Sequence, residues 1–205
     1  MANSTDFPRL VSLACHDLRT PLATIFGFAR TLSRLEGLPG QSPRWVEMIE
    51  ASSEQLGELL DELGLAARIE SGQYDPTLVE IDTAELAQAA ADRLGAERVD
   101  VSGAGAPVDV DPEAARRAVS ALTQCALRHG GLDQVQVRAV GTRIEIEPIT
   151  RSAAPVVTGE DLRDLGAAVA VLALRALGGS IELEGETLRL ELPPASGEAV
   201  RAAGR

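Results

Sequence analysis

The sequence predicts an α+β protein, in which an antiparallel helical hairpin that pairs into a dimeric four-helix bundle is followed by an α/β sandwich. Two long segments, residues 7–36 and 44–70, repeat apolar residues every three or four positions, which is the period of an amphipathic helix. Beyond residue 77, short runs typical of strands are interleaved with helical segments. Apolar residues make up 45% of the chain but aromatic residues only 2%, which favours layers of helix and sheet filled by Leu, Val, Ile and Ala. A chain of 205 residues is long enough to form both domains.

The hairpin prediction rests on two helices and the short loop between them. Pro21 lies inside the first helix, where it removes a backbone hydrogen bond and should bend the helix. Residues 37–43 include two Pro and two Gly and predict a loop, so the two helices should lie antiparallel. Each helix carries an apolar stripe that one neighbour cannot cover, so we expect two hairpins to form a homodimer. The other side of the second helix predicts a solvated acidic face, made of Glu47, Glu50, Glu54, Glu58, Asp61 and Glu62.

The second domain is predicted from the alternation of strand and helix patterns after residue 77. We expect helices at 83–94, 112–129 and 161–177, the first capped by Asp82 or Thr83 and the second opened by Asp111 and Pro112. A turn is expected at 103–107 and a loop at 150–159. Strands are expected at 78–80, 99–101, 108–110, 135–140, 143–149, 181–184 and 187–192. The hairpin domain thus spans 7–72 and the second domain 77–192, and a flexible tail follows at 193–205.

Charge and cysteine content exclude several classes of function. The formal net charge is −12, with 19 basic residues that are all Arg, so nucleic acid is a poor candidate partner. Cys15 and Cys125 lie far apart without a Cys-x-x-Cys pair, so neither a disulfide framework nor a zinc site is indicated. The sequence has no apolar run of 18 residues and does not start like a secretory signal peptide. We therefore expect a cytoplasmic protein without membrane insertion.

The densest chemical signal is the run His-Asp-Leu-Arg-Thr-Pro-Leu at residues 16–22 of the first helix. His16 and Thr20 are four residues apart and share one face of the helix. A neutral imidazole is a good nucleophile at physiological pH, and an adjacent carboxylate such as Asp17 can hold the proton of the other ring nitrogen. An isolated His-Asp pair would usually be an exposed histidine with a chance acidic neighbour, so the interpretation depends on the whole run.

The whole run resembles the H box of bacterial two-component sensor histidine kinases, in which His and an acidic residue precede Leu-Arg-Thr-Pro-Leu. The resemblance extends over residues 7–192, because that family joins a dimerisation and phosphotransfer hairpin to an ATPase-type α/β sandwich. In the family, the His accepts a phosphoryl group and passes it to an Asp of a receiver domain. The resemblance implies that His16 is the phosphoacceptor, that Asp17 assists it and that Thr20 orients a water for receiver dephosphorylation.

The second domain resembles the ATP-binding sandwich of that family in layout but lacks most of its binding residues. At the position of the magnesium-ligating Asn, the sequence has Cys125 after Gln124, and a thiol is a poor ligand for magnesium. The Asp-x-Gly-x-Gly element that binds adenine has no counterpart in residues 148–153. The phosphate-binding turn keeps Gly166 but has Asp164 at an earlier glycine position, where its carboxylate would face and repel the triphosphate. We therefore expect no cofactor and no metal, and ATP with magnesium only if the protein is an active autokinase.

These observations predict a phosphotransfer protein of two-component signalling that exchanges phosphoryl groups with receiver domains of response regulators and has lost autokinase activity. It would resemble stand-alone phosphotransferases of phosphorelays, and a separate histidine kinase is a further candidate partner. Three alternatives stay open: an active histidine kinase with a divergent ATP site, a non-catalytic scaffold and a receiver phosphatase.

Overall fold

The computed structural model describes residues 6–32, 34 and 42–196. Its N-terminal part is a hairpin of two long helices, α1 (Asp6–Leu32) and α2 (Ser42–Glu70), which pack against each other. The first helix continues through Pro21, which has no N–H to donate to the carbonyl of Asp17 one turn earlier. The second helix begins at Ser42, two residues before the predicted start, and most of the predicted loop lies outside the described residues.

The second domain contains two sheets. Its strands are β1 (Val79–Asp82), β2 (Val99–Gly105), β3 (Pro107–Val110), β4 (Val135–Gly141), β5 (Arg143–Glu147), β6 (Ser180–Glu184) and β7 (Thr187–Glu191). β1 pairs antiparallel with β3. The other strands form a five-stranded sheet in the order β2-β4-β5-β7-β6, in which β2 and β4 are parallel and the remaining neighbours antiparallel.

Four helices accompany these strands, and the longer ones begin at aspartate caps. The helices are α3 (Thr83–Leu94), α4 (Pro112–Gly130), α5 (Ala154–Val157) and α6 (Leu165–Ala176). Asp82 accepts a hydrogen bond from the N–H of Ala84 at the start of α3, so Asp82 is the cap of the two residues predicted for that role. Asp111 caps α4, and Pro112 occupies its first turn as predicted. Helices α3, α4 and α6 pack together and contact the five-stranded sheet, so the domain is a two-layer α/β sandwich.

Two apolar clusters hold the molecule together. The larger one lies between the sheet and its helices, where Leu122, Ile144 and Leu188 are fully buried. The smaller cluster joins the hairpin to α6 and contains Leu10, Ala14, Leu65, Ala66, Leu165, Ala168, Val169 and Ala173. Helix α6 is therefore buried on two sides, which explains why its sequence is apolar almost throughout.

Several predicted boundaries need correction. The expected turn at 103–107 is mostly strand, because β2 continues to Gly105 and β3 begins at Pro107. Gly103 has a positive φ of 90° and lies so close to the Ala139 carbonyl that a Cβ would collide with it. Glycine at this position therefore allows β2 and β4 to lie close together. The last long helix begins at Leu165 rather than at 161, and the expected loop at 150–159 includes α5.

The predicted flexible tail starts too early. Asp109 on β3 donates its N–H to the Pro193 carbonyl, and the Asp109 carboxylate accepts hydrogen bonds from the N–H and the hydroxyl of Ser196. Residues 193–196 thus run along β3, while residues 197–205 lie outside the described part of the chain. Among the described helices, none is long and apolar enough to cross a membrane.

Candidate functional site

His16 lies on the exposed side of α1 with one ring nitrogen engaged. Its side chain is 76% exposed, and Nδ1 lies 3.1 Å from Oδ1 of Asp17. An ionised carboxylate only accepts hydrogen bonds, so this contact assigns the proton of the neutral imidazole to Nδ1. The Nε2 lone pair of that tautomer is then available to an electrophile.

The neighbours of His16 line a cleft of about 540 Å³ between the hairpin and the second domain. Asp17 and Thr20 contribute the α1 wall of this cleft, and Glu58 and Glu62 contribute the α2 wall. The opposite wall belongs to α4 and the start of α6: Gln124, Arg128, His129, Arg163, Asp164 and Gly166. Two of the predicted phosphotransfer residues and three of the four divergent ATP-site positions therefore meet in one space.

Asp164 sits at the start of α6, where several groups converge on it. One carboxylate oxygen accepts a hydrogen bond from the N–H of Ala167 at 3.1 Å, which caps the helix. The other oxygen accepts a hydrogen bond from Arg128 and lies 3.1 Å from Nε2 of His129. The side chain is only 7% exposed, so the chain itself supplies the partners of this buried carboxylate.

Cys125 belongs to the same cluster. It is fully buried on α4, one helical turn before His129, and its thiol lies with Asp164 and His129 in a set whose ligand atoms are all within 4.8 Å of one another. Burial and the Asp164 carboxylate raise the pKa of this thiol above its usual range.

Gly166 and Glu62 lie at one of the contacts between the hairpin and α6. A Cβ at Gly166 would approach Oε1 of Glu62 to 3.1 Å, so glycine lets the two elements come this close. Burial and the nearby carboxylates of Asp164 and Glu58 raise the pKa of Glu62 to about 7. Its Oε2 is buried without a hydrogen-bond partner among the described residues. The solvated acidic face predicted for α2 therefore needs correction at Glu62.

The residues around Cys125 do not suit the magnesium ion that the resemblance implies. Magnesium prefers oxygen ligands in octahedral geometry, whereas this position offers a buried thiol, an imidazole and a carboxylate already held by Arg128. Gln124, the neighbouring side chain, is exposed and lines the cleft.

The structure therefore brings together Asp17, Thr20, Gln124, Asp164 and Gly166 around one cleft, with His16 on the exposed side of α1 and Cys125 behind the α4 wall. Sequence reasoning missed the contributions of Glu62, Arg128 and His129. The spacing of Cys125 and His129, four residues apart on one helix, was a usable signal for their proximity. No sequence signal indicates that Asp164 lies close to Cys125 and His129, because that proximity depends on how α6 packs beside α4.

Comparisons with known proteins agree with this organisation. The family of His Kinase A (phospho-acceptor) domains matches residues 9–72. The phosphate regulon sensor protein PhoR of Pseudomonas aeruginosa is 36% identical over 67 residues, which are 31% of this chain and 15% of that protein. The chain thus matches only a small part of its curated relative.

Two solved structures share the fold of both domains. Acinetobacter baumannii histidine kinase AdeS superposes with a TM-score of 0.65 at 18% identity, over 88% of this chain and 98% of that chain. Full-length ShkA, solved in complex with AMPPNP, superposes with a TM-score of 0.56 at 20% identity, over 91% of this chain and 45% of that chain. The second domain accordingly resembles histidine-kinase ATPase domains in its fold. Residues 9–72 thus match the His Kinase A (phospho-acceptor) domain family, and the chain as a whole resembles sensor histidine kinases in its fold.

Proposed function

We propose that the protein is a phosphotransfer protein that carries a phosphoryl group on His16 and exchanges it with the aspartate of receiver domains. The observation that carries the proposal is the exposed His16 imidazole whose Nδ1 faces Asp17. A large partner domain has access to Nε2, since the His16 side chain is mostly exposed.

The transfer step uses groups present on α1. Nε2 of His16 attacks the phosphorus of the receiver's aspartyl phosphate, so that an N–P bond forms as the O–P bond to the aspartate breaks and the aspartate leaves as a carboxylate. The proton on Nδ1 stays in its contact with Asp17, whose negative charge offsets the positive charge that develops on the ring. The reverse sequence returns the phosphoryl group to a second receiver.

Loss of autokinase activity is supported by three features of the second domain. Cys125 stands where the resemblance to sensor histidine kinases places the magnesium-ligating Asn. The N–H of Ala167, which could bind a phosphate at the start of α6, donates to the Asp164 carboxylate instead. The third feature is the segment between β5 and α6, where the resemblance places the adenine-binding Asp-x-Gly-x-Gly element. Its Ala153, Val156 and Val157 are instead buried in the main core.

The homodimer is part of the proposal. Leu22, Phe26 and Leu60 are each more than half exposed on the hairpin, and large apolar side chains grouped on a helical surface usually mark an interface. A second copy of the hairpin would cover them in a four-helix bundle.

The test uses receiver domains labelled with radioactive acetyl phosphate. The wild-type protein should take up acid-labile phosphate from a cognate receiver, and His16→Gln should not. The matched control is His129→Gln, which changes the other of the two histidines and should leave uptake intact. Uptake by His16→Gln would contradict the assignment of the phosphoacceptor, and an unchanged regulatory effect of His16→Gln would favour a scaffold.

A receiver phosphatase is the second candidate function. Thr20 is exposed one helical turn from His16 and lines the same cleft as Asp17, so its hydroxyl is accessible to a water beside a docked receiver. Thr20→Ala should slow receiver dephosphorylation while leaving uptake of phosphate by His16 largely intact.

A further inference from the structure

We propose that Cys125, His129 and Asp164 form a zinc-binding site that ties α4 to the start of α6. Their ligand atoms all lie within 4.8 Å of one another. In a tetrahedral zinc site with ordinary bond lengths, ligand atoms lie roughly 3.4–3.8 Å apart, so modest side-chain rotations bring the three atoms onto one ion. The site is independent of phosphotransfer at His16, which lies on α1.

The donor set selects zinc over magnesium and calcium. Thiolate and imidazole are the preferred ligands of zinc, whereas magnesium and calcium take oxygen. The three donors match the composition of zinc sites with three protein ligands and an open fourth position. Because His129 and Asp164 also line the cleft, the open position faces that space and is accessible to water.

Helix geometry presents two of the donors together. Cys125 and His129 are four residues apart on α4, so both side chains lie on one helix face. Asp164 reaches the same point from the start of α6, with its other oxygen fixed by the N–H of Ala167. Two of the three ligands are therefore preorganised by secondary structure, and the third is held by its capping hydrogen bond.

Metal binding requires three local changes. The Cys125 thiol releases its proton to solvent as the sulfur–zinc bond forms. The His129 proton must be on Nδ1, so that Nε2 can bind the ion. Arg128, which occupies the Asp164 oxygen, must move away, and its side chain is 58% exposed. With one thiolate, one carboxylate and a neutral imidazole, the bound Zn²⁺ is charge-balanced.

The experiment titrates the full-length, chelator-treated protein with Zn²⁺ and, separately, with Co²⁺ as a spectroscopic substitute. We expect one equivalent to bind, with a thiolate-to-cobalt charge-transfer band. Cys125→Ser should abolish the band, and His129→Gln and Asp164→Asn should each weaken zinc affinity at least tenfold. Zinc should also raise the midpoint of thermal unfolding of the wild type.

Two controls separate this site from the other candidate donors. Cys15→Ser removes the other cysteine, which is exposed beside His16, and His16→Gln removes the other histidine; both variants should keep the cobalt band and the zinc affinity. A band that disappears in Cys15→Ser, or no stoichiometric binding by the wild type, would overturn the proposal. Circular dichroism shows whether Cys125→Ser is folded, and if it is not, the affinities of His129→Gln and Asp164→Asn decide the question.

Discussion

At the scale of single residues, Glu62 makes the stability of the fold depend on pH. Its carboxyl is buried where α2 meets α6, and burial, then Asp164 and Glu58, raise its pKa from 4.5 to about 7, against the opposing charges of Arg93 and Arg117. Because the folded-state pKa is the higher one, this group's contribution to stability is complete below pH 4.5. It is lost as the pH rises towards and through 7.

Glu62→Gln should therefore raise the free energy of unfolding at pH 8 relative to wild type, by at most about 3 kcal/mol, and change it little at pH 4.5. The glutamine keeps the shape and removes the charge that the fold disfavours. Urea unfolding at the two pH values measures the difference. Glu54→Gln, on the exposed part of the same helix, is the charge-matched control and should show no such pH dependence; equal effects of both variants would contradict the prediction.

Asp17 is expected to act through the His16 ring. Asp17→Asn should slow phosphate uptake from a receiver at least about tenfold, because an amide does not supply the negative charge that holds the Nδ1 proton. Asp17→Glu should restore most of the rate, since it returns the carboxylate. Single-turnover uptake by the folded variants measures this, and an Asn variant as fast as wild type would remove Asp17 from the transfer step.

At the scale of elements, the hairpin leaves large apolar side chains in solvent. Leu22 is 56% exposed and Leu60 is 52% exposed, and burying a leucine side chain is worth roughly 1.5–3 kcal/mol. The double variant Leu22→Glu/Leu60→Glu should therefore dissociate the dimer, or unfold a hairpin that is stable only in the dimer.

Light scattering at micromolar concentration measures the oligomeric state of the wild type and of the double variant. The matched control is Leu78→Glu, which changes an equally exposed leucine, 56%, outside the hairpin and should leave the mass at that of a dimer. A wild-type protein that is monomeric under these conditions would refute the predicted bundle.

At the scale of the whole molecule, the second domain should fold without binding Mg-ATP. Three contacts that the resemblance implies are replaced or absent, at Cys125, Asp164 and residues 148–153, and each loss costs about 1–3 kcal/mol. Their combined loss weakens binding at least about a hundredfold. Calorimetry at submillimolar nucleotide should show no heat of binding, with a nucleotide-binding histidine-kinase ATPase domain as positive control. A micromolar dissociation constant would instead favour the autokinase.

The sequence predicts the helices and strands better than the contacts between them. Helix α3 has the predicted bounds, 83–94, because Asp82 supplies a local cap and the apolar period is regular. The fold class follows from the switch from helical to strand periods, and the His Kinase A hairpin follows from the H box. The apolar pattern predicts a start at 161, whereas Asp164 caps the helix and Leu165 begins it. The acidic pattern places Glu62 in solvent, since no local pattern shows that α6 covers this end of the acidic face.

The capping carboxylate at the start of α6 also bears on what the domain can sense. In an ATPase domain, the start of such a helix is occupied or vacant according to the nucleotide supply of the cell. Here the chain fills that position with its own anion, Asp164, and balances it with Arg128. Under the proposed loss of ATP binding, helix α6, which packs on both hairpin helices, would keep one arrangement whatever the nucleotide supply. Phosphoryl flux through His16 would then follow only the abundance of phosphorylated partners.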